Sequence, residues 1–410
     1  MGDKKLNPKI RVKGFDGVWE RRKLSDVLYI SNEKNDGTYS GDDVLAASLG
    51  TELEKKHIYF GLRATEDSVK KYKVVKPGDV IYTKSPIKGF PNGIIRTNKG
   101  DAGIVPTLYC VYCSISDINP SIIQAYFEDK RRLDKYLTPL VNVGARNNLN
   151  ITDKEFLNGF ICIPKDISEQ TEIVKTIEEI SKLINFHQQE LNRLVCVRKA
   201  MVDKMFPQNG KNVPEVRFSG YTAPWKLCHF SELFTERHTI DTVSEEYPQL
   251  SFTIEEGVIR PEDRKTNRRD FLILDKENKK YLQTEYDDII YNPANVIFGA
   301  IHRNALGKGC VSPIYKIFYT DQDSTFMECI VRHPRFIKEI SRSMEGTVKK
   351  LRTLKPKAFL EMSAYIAPTI EEQKQIGEYF QQIDRLIEIE KEELEKIKHI
   401  KSACLEKMFV

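Results

Sequence analysis

Basic and amide side chains are concentrated in two glycine-containing segments, each of which follows a short apolar run. In the first segment these residues are Lys84, Ser85, Lys88, Arg96 and Asn98. In the second segment they are Asn292, Asn295, His302, Arg303 and Asn304. Lysine and arginine neutralise phosphates, arginine and asparagine can form paired hydrogen bonds with base edges, and glycine lets a backbone approach closely. These residue types favour contact with nucleic acid; ordinary solvated loops are the alternative.

A second basic segment precedes each of two long regions with a helical apolar pattern. The first copy offers Arg146, Asn147 and Asn148, and the second offers Lys349, Lys350 and Arg352. Each segment lies where a globular region would join a long helix, so a DNA duplex crossing that junction could contact it. The alternative is a solvated loop that ends in a buried leucine.

No complete catalytic motif accompanies these residues. The sequence lacks GxxxxGK(S/T), GxSxG and HExxH, and Asn292–Asn295 has only half of the Asn-Pro-Pro-aromatic motif of adenine methyltransferases, so we interpret it as a turn. Cys110 and Cys113 form the only CxxC pair. Because no second pair completes a zinc site, we predict free core thiols in a reducing cytoplasm. We therefore predict no catalytic residue and no metal ligand.

The composition is that of a soluble globular chain of two or more domains, with 410 residues, 40% hydrophobic and 30% charged. No apolar run reaches 18 residues, so membrane insertion and secretion are not expected. The formal net charge of +5 is compatible with nucleic acid without requiring it.

The same pattern occurs twice in the chain, about 203 positions apart. Ser168–Ile173 returns as Glu371–Ile376, and Asp203–Phe206 returns as Glu406–Phe409. Further upstream, the only two tryptophans, Trp19 and Trp225, hold equivalent places at an offset of 206. A duplicated sequence predicts two similar domains in one chain, an arrangement suited to binding two parts of one ligand.

Each copy ends in a helical region with an apolar seam, the set of positions recurring at steps of three and four. The first seam is Ile173, Ile177, Ile180, Ile184, His187, Leu191 and Leu194; the second is Ile376, Phe380, Ile383, Ile387, Glu390, Leu394 and Ile397. Each helix of about 38 residues would be about 57 Å long, and pairing the two would bury both seams. If the pair is antiparallel, His187 and Glu390 meet and help to fix its register; alternatively, both reach solvent or a partner surface.

The remaining segments contain short β-rich runs bounded by glycine, proline, asparagine and aspartate, with helical stretches near 121–138 and 334–345. We predict an α+β fold with two globular domains and two long helices that pair as an antiparallel coiled coil with pseudo-two-fold symmetry. The predicted boundaries are 1–160 for the first domain, 161–210 for its helix, 211–365 for the second domain and 366–410 for the last helix.

Together these features resemble the specificity (S) subunit of a type I restriction–modification enzyme. The residues that carry the resemblance are Gly14-Phe15 to Trp19, Phe218 to Trp225, Pro164 to Gln170, Pro368 to Gln373, the two Lys-Met-Phe helix ends, and the loop with Lys84-Ser85 and Lys88-Gly89. The resemblance spans essentially the whole chain. One departure is that the proline-to-glutamine spacing is one residue shorter in the second copy, which implies docking surfaces that are not identical.

The resemblance implies a non-catalytic DNA-recognition subunit with two target-recognition domains. Such a subunit binds a bipartite asymmetric DNA site, one half through each domain, with the helical pair setting the gap. It would recruit two methylation (M) subunits that carry S-adenosylmethionine, and two restriction (R) subunits that use ATP and Mg²⁺ can join, with no cofactor in this chain. Two alternatives stay open: a coiled-coil adaptor whose domains bind proteins, and a nuclease or methyltransferase without a recognisable motif.

Overall fold

The computed structural model describes residues 6–48, 53–55, 66–87, 89–115, 117–143, 149–208, 210–264, 279–344 and 353–410. Contacts divide the chain into two compact units. Unit 1 combines Met1–Glu190 with Lys391–Val410, and unit 2 is Leu191–Glu390. The divisions fall inside the two long helices, not at the predicted domain boundaries, so each unit contains one globular domain and a part of each helix.

Unit 1 begins with a domain of short strands and helices. Its strands are β1 (Trp19–Lys23), β2 (Leu28–Ile30), β3 (Leu45–Ala46), β4 (Glu54–Lys55), β5 (Lys73–Val75), β6 (Val80–Thr83), β7 (Ile95–Thr97), β8 (Gly103–Val105), β9 (Tyr109–Ser114), β10 (Asn142–Val143), β11 (Leu149–Asn150) and β12 (Phe160–Pro164). Its helices are α1 (Glu66–Val69), α2 (Ser121–Phe127), α3 (Lys130–Leu137), α4 (Asp153–Phe156) and the first part of α5 (Ile167–Met205).

The main sheet of unit 1 is antiparallel, with strand order β2-β9-β6-β7. Successive residues of β6 point to opposite faces. Val80 and Tyr82 pack in a core cluster with α2 and α3, whereas Ile81 packs in a second cluster with residues of β3, β5 and β8. This two-sided burial explains why β6 is a continuous apolar run in the sequence.

Unit 2 repeats this architecture. Its strands are β13 (Lys226–His229), β14 (Thr235–Arg237), β15 (Ile240–Asp241), β16 (Ser251–Thr253), β17 (Gly257–Ile259), β18 (Tyr281–Thr284), β19 (Ile289–Tyr291), β20 (Ile301–Arg303), β21 (Gly309–Val311), β22 (Lys316–Tyr319) and β23 (Ser363–Ile366). Its helices are α6 (Phe230–Leu233), α7 (Ser324–Val331), α8 (Pro334–Ser343), α9 (Pro356–Leu360), the end of α5 and the first part of α10 (Ile370–Lys407). The sheet order β14-β22-β19-β20 matches that of unit 1.

The long helices share a core with the domain of each unit. In unit 1 the start of α5, at Ile173 and Ile177, lies in one apolar cluster with the end of α10, at Leu405 and Met408. In unit 2 the end of α5 and the start of α10 share a cluster in the same way. Both helices lie inside the predicted ranges, α5 within 161–210 and α10 within 366–410.

Every predicted seam position of α5 and α10 is buried or half-buried. His187 lies near the Glu393 carboxylate, whose pKa is lowered mainly by its hydrogen bond with Lys396 and to a smaller extent by His187. The contact between His187 and Glu390, and the pairing of the helix middles, stay predictions. Within the described residues, no helix has an apolar stretch long enough to cross a bilayer.

Candidate nucleic-acid interface

A buried Arg–Glu–Trp cluster attaches the domain to the long helix in each unit. In unit 1 the Arg11 guanidinium donates from Nε and Nη2 to the two Glu169 carboxylate oxygens at 2.7 and 2.8 Å, and Trp19 Nε1 donates to the same carboxylate at 3.2 Å. Charge-assisted paired hydrogen bonds of this kind are among the strongest in proteins. The cluster therefore fixes the angle at which the helix leaves its domain.

Unit 2 contains the same cluster at Arg217, Glu372 and Trp225, with corresponding distances of 2.7, 2.9 and 3.3 Å. The tryptophans and glutamates are visible in the sequence as repeated residues, but Arg11 and Arg217 were missed. The sequence does contain a pattern that could have identified these two arginines, because they lie 206 positions apart, as the tryptophans do. The repeat thus preserves an attachment between domain and helix.

The glutamine next to each of these glutamates completes the helix start. Gln170 donates to the Pro164 carbonyl at 2.8 Å, and Gln373 donates to the Ala367 carbonyl at 2.9 Å. Both glutamines are six residues beyond the carbonyl that they bind. The shorter proline-to-glutamine spacing in the second copy is therefore a difference in where the proline lies, because the helix start itself is the same.

Asn98 and Asn304, both predicted to contact DNA, hold equivalent buried places at one end of a hairpin. The Asn98 amide donates to the Asp101 carbonyl at 2.9 Å, and the Asn304 amide donates to the Gly307 carbonyl at 2.7 Å. Their backbones also bond the preceding turn in the same way in both units. These side chains stabilise a turn of the framework, and this placement does not support their prediction as DNA contacts.

Arg96 and His302 are a second equivalent pair of buried residues, opposite Ile81 in β6 and Ile290 in β19 respectively. Arg96 Nη2 donates to the Ser48 carbonyl at 3.1 Å, and His302 Nε2 lies 2.8 Å from the Ile254 carbonyl. Burial, together with the nearby Arg332 charge, lowers the pKa of His302 to about 4. Both residues tether a neighbouring loop to the sheet, so their predicted role in DNA contact is not supported either.

Lys84, which follows β6, remains partly exposed and is held by a carboxylate. Its ammonium lies 3.1 Å from Asp153 Oδ1, and Lys73 lies 3.0 Å from the other oxygen of the same carboxylate. Burial would raise the pKa of Asp153, but hydrogen bonds from Cys110, Lys73 and Lys84 lower it to about 2. The Asp153 carboxylate thus pairs with two lysines beside the half-buried Ser85, and Lys84 also interacts with the Glu155 carboxylate.

Arg303 is the basic residue at the end of β20. Its side chain is only 9% exposed, donates to Asp287 Oδ1 at 2.7 Å and lies 3.6 Å from a Glu328 oxygen. Asp287 has a φ of 74°, a backbone conformation that non-glycine residues rarely adopt, at the turn between β18 and β19. Arg303 is therefore charge-balanced within its own domain and can meet a phosphate only by exchanging one of these partners.

The opposite end of the β19–β20 hairpin presents different residues. Asn292 Oδ1 accepts from the backbone N–H groups of Ala294 and Asn295 at 3.0 and 3.3 Å, which confirms the predicted turn. A single 3₁₀ turn, Val296–Phe298, follows and ends at Gly299 with a φ of 92°. Phe298 is 68% exposed at this tip and was not among the predicted site residues. The exposure of Phe298 cannot be predicted from its residue type. The only signal in the sequence is the glycine that follows it, which is typical of a turn.

The residues predicted to contact DNA thus lie at both ends of the hairpins and do not form one group. Lys84, Ser85, Asn292 and Asn295 lie at one end, and Arg303 lies at the other. The other predicted residues lie outside the described residues: Lys88, Arg146, Asn147, Asn148, Lys349, Lys350 and Arg352. In the described parts of the chain, no three His, Cys, Asp or Glu side chains are placed to hold a metal ion.

These observations define a class first: an α+β protein made of two repeated units, each joining a domain to segments of long helices. No protein-family model matches the sequence. Among solved structures, the type I restriction–modification S subunit from M. genitalium aligns over 99% of both chains, with a TM-score of 0.61 and 12% identity. At that identity the likeness shows the fold alone: this chain folds as that S subunit does.

Two other structures align at lower scores. The HsdS subunit from Thermoanaerobacter tengcongensis covers 100% of this chain and 98% of its own, with 16% identity and a TM-score of 0.41. A structure described for complex assembly and conformational transition of the type I R-M system covers 99% of both chains, with 16% identity and a TM-score of 0.46.

Proposed function

We propose that this chain is the DNA-recognition subunit of a type I restriction–modification complex. Each unit binds one half of a bipartite, asymmetric DNA site, and the paired helices set the gap between the halves. Phosphate contacts supply most of the affinity, and contacts with base edges supply the sequence preference. The match with the M. genitalium S subunit in fold supports this function.

The observation that carries the proposal is a constant framework with different tips. The Arg–Glu–Trp cluster and the buried asparagine turn are the same in both units. The hairpin tips, by contrast, differ. The residue after β6 is Lys84, whose charge is balanced by Asp153, and the tip between β19 and β20 presents Asn295 and Phe298. Two similar scaffolds with different surface chemistry suit two different half-sites.

Partner subunits supply the chemistry in this proposal. S-adenosylmethionine would be bound by two methylation subunits, and ATP and Mg²⁺ by restriction subunits. The long helices offer support for two copies of one partner, because exposed apolar residues recur at the 203 offset. These pairs are Leu183 and Leu386, Phe186 and Ile389, and Val197 and Ile400. Exposed apolar positions repeated on both helices are the kind of surface that a partner helix covers.

Binding of duplex DNA by the complex of this chain with its methylation subunits tests the proposal. We expect binding that weakens steeply with salt, because phosphate contacts release counterions. Lys84→Ala should weaken binding to all duplexes and lower the salt slope by about one. Asp153→Asn should do the opposite, because it frees Lys84 and Lys73 from their shared carboxylate.

A control for the loss of a surface lysine is Lys357→Ala, since Lys357 is 89% exposed on α9 and is not among the residues predicted to contact DNA. It should leave binding unchanged. If the complex shows no salt-dependent affinity for any duplex, the recognition function is wrong and the protein-binding adaptor gains support. If DNA binds but Lys84→Ala and Arg303→Ala both leave affinity intact, these basic residues have no part in the interface.

A further inference from the structure

We propose that Asn295 and Phe298 form a base-contacting pair that recognises A·T base pairs in the half-site bound by unit 2. This inference rests on the proposed function and deepens it, because it names the residues and the base chemistry of one half-site. It concerns the hairpin tip between β19 and β20, where the sequence predicts only Asn292 and Asn295 as site residues.

The tip is a rigid platform. Val296 is fully buried, and Ile297 packs against the core cluster of the unit. Phe298 N–H and Ala300 N–H both donate to the Asn295 carbonyl, at 2.9 and 3.3 Å, and Gly299 N–H donates to the Val296 carbonyl at 2.9 Å. Because the backbone is fixed in this way, a ligand would meet the exposed side chains without first ordering the loop.

Asn295 and Phe298 are neighbours across one turn of the platform. Asn295 immediately precedes the 3₁₀ turn, and its carbonyl accepts from Phe298 N–H at 2.9 Å, which brings the two residues together. Phe298 is 68% exposed, and within the described residues the Asn295 side-chain amide makes no hydrogen bond. An amide and an apolar ring side by side, both unused by the fold, are suited to one ligand that offers a hydrogen-bonding edge and an apolar group.

An A·T base pair offers both groups in the major groove of DNA. Adenine presents N7 and N6, which an asparagine amide bonds in pairs, and thymine presents its C5 methyl group, which phenylalanine can contact. The pair of residues therefore predicts one adenine bonded by Asn295 and one thymine methyl group, on the same or the adjacent base pair, against Phe298.

Among the residues that the structure describes, the corresponding tip of unit 1 shows no such pair. The residue before the equivalent glycine, Gly93, is Asn92, and its amide donates to Asp134 Oδ1 at 3.4 Å and Thr138 Oγ1 at 3.3 Å. That side chain is thus tied to α3. The recognition of A·T pairs by an amide and an aromatic ring is therefore specific to the half-site of unit 2.

The test uses the complex with methylation subunits and a duplex that carries the recognition sequence found by mapping methylated adenines. Each thymine in the unit 2 half-site is replaced in turn by uracil, which removes only the methyl group. For the unmodified protein, we expect one replacement to weaken binding about fourfold, the value of one buried methyl group. With Phe298→Ala, the thymine and uracil duplexes should bind equally.

Replacing adenines by 7-deazaadenine tests Asn295 in the same way. One replacement should weaken binding at least about fivefold in the unmodified protein and have no effect in Asn295→Ala. Ile314→Ala is the control variant, since Ile314 is 60% exposed in the turn between β21 and β22. It should keep both base preferences.

The inference is overturned if Phe298→Ala retains the uracil effect, or if it loses the methylation subunits while its base preferences stay intact. In both cases the unmodified complex still binds DNA, so the proposed function survives. Failure of the unmodified complex to bind any duplex would overturn the function and this inference together.

Discussion

The Arg217–Glu372 pair shows how much the framework depends on single residues. Glu372 is 1% exposed, so Arg217→Met would leave a buried carboxylate without its charge partner. We expect a loss of about 3–5 kcal/mol in the free energy of unfolding, measured by urea denaturation. Arg217→Met with Glu372→Gln should be less destabilised, because the amide still accepts from Trp225 and carries no charge.

The control for this prediction is Lys357→Met, which breaks the exposed pair of Lys357 with Glu361. Exposed pairs contribute little, so its stability should change by less than about 0.5 kcal/mol. Equal losses in the buried and the exposed variant would contradict the structural role of the Arg–Glu–Trp cluster.

His302 makes a pH-dependent contribution to stability. Its pKa is about 4 in the folded chain and 6.5 as its ordinary value, so between these limits the unfolded state binds more protons. Stability should therefore be complete above pH 6.5 and fall as the pH decreases toward 4, by up to about 3 kcal/mol.

His302→Gln removes this titration and keeps a donor for the Ile254 carbonyl. The difference between the thermal unfolding midpoints of the parent and His302→Gln should narrow as the pH falls from 7 to 4. A difference that is constant over this range would show that His302 does not titrate as its burial requires.

At the residue scale, the sequence shows which types of side chain are present in the two segments better than it shows whether each side chain is exposed or buried. The two segments that it singles out coincide with the β6–β7 and β19–β20 hairpins, but it cannot separate Lys84, which is partly exposed, from Arg96 and His302, which are buried. The reason is physical: Arg96 and His302 each bond a backbone carbonyl that lies 48 residues away in the sequence. Such contacts leave no local pattern of residue types.

At the scale of elements, α10 packs closely against the start of α7 at Gly377. An added methyl group there would lie 1.9 Å from Thr325 Oγ1 and 2.9 Å from Asp323 Oδ1. Gly377→Ala should therefore destabilise the protein by about 1–3 kcal/mol in urea denaturation, although alanine is the better helix former. Adding Thr325→Ala should restore part of the loss. Stabilisation by Gly377→Ala alone would contradict this close packing.

Element types follow from the sequence where periodicity is strong. The two long helices are found close to their predicted places, and strands such as β6, β8, β19 and β21 form in the segments predicted to contain β-rich runs. The predicted helix near 121–138 is divided, because Asp129 caps a new helix by accepting from Arg132 N–H at 3.0 Å. Helix α7 was missed, although its buried residues Phe326, Met327, Ile330 and Val331 follow the three-and-four spacing of a helix, because eight residues are too few to make that spacing stand out.

At the scale of the whole molecule, the duplication is visible in the sequence but the composition of the units is not. Unit 2 is continuous, whereas unit 1 joins the two ends of the chain, as shown by the hydrogen bond from Ile10 N–H to the Lys407 carbonyl at 3.0 Å. A linear repeat does not reveal that the first domain is completed by the end of the last helix. The composition of unit 1 depends on packing between residues that lie almost the full chain length apart.

The most direct test of the account is to map methylated adenines in genomes that express the unmodified chain or a variant with four residues added after Glu190 and after Glu390. We predict a bipartite site for the unmodified chain. The variant should keep both half-sites and lengthen the gap by about two base pairs, since four helical residues add about 6 Å. An unchanged gap, or methylation at one continuous site, would contradict the proposal that the paired helices set the distance between two half-sites.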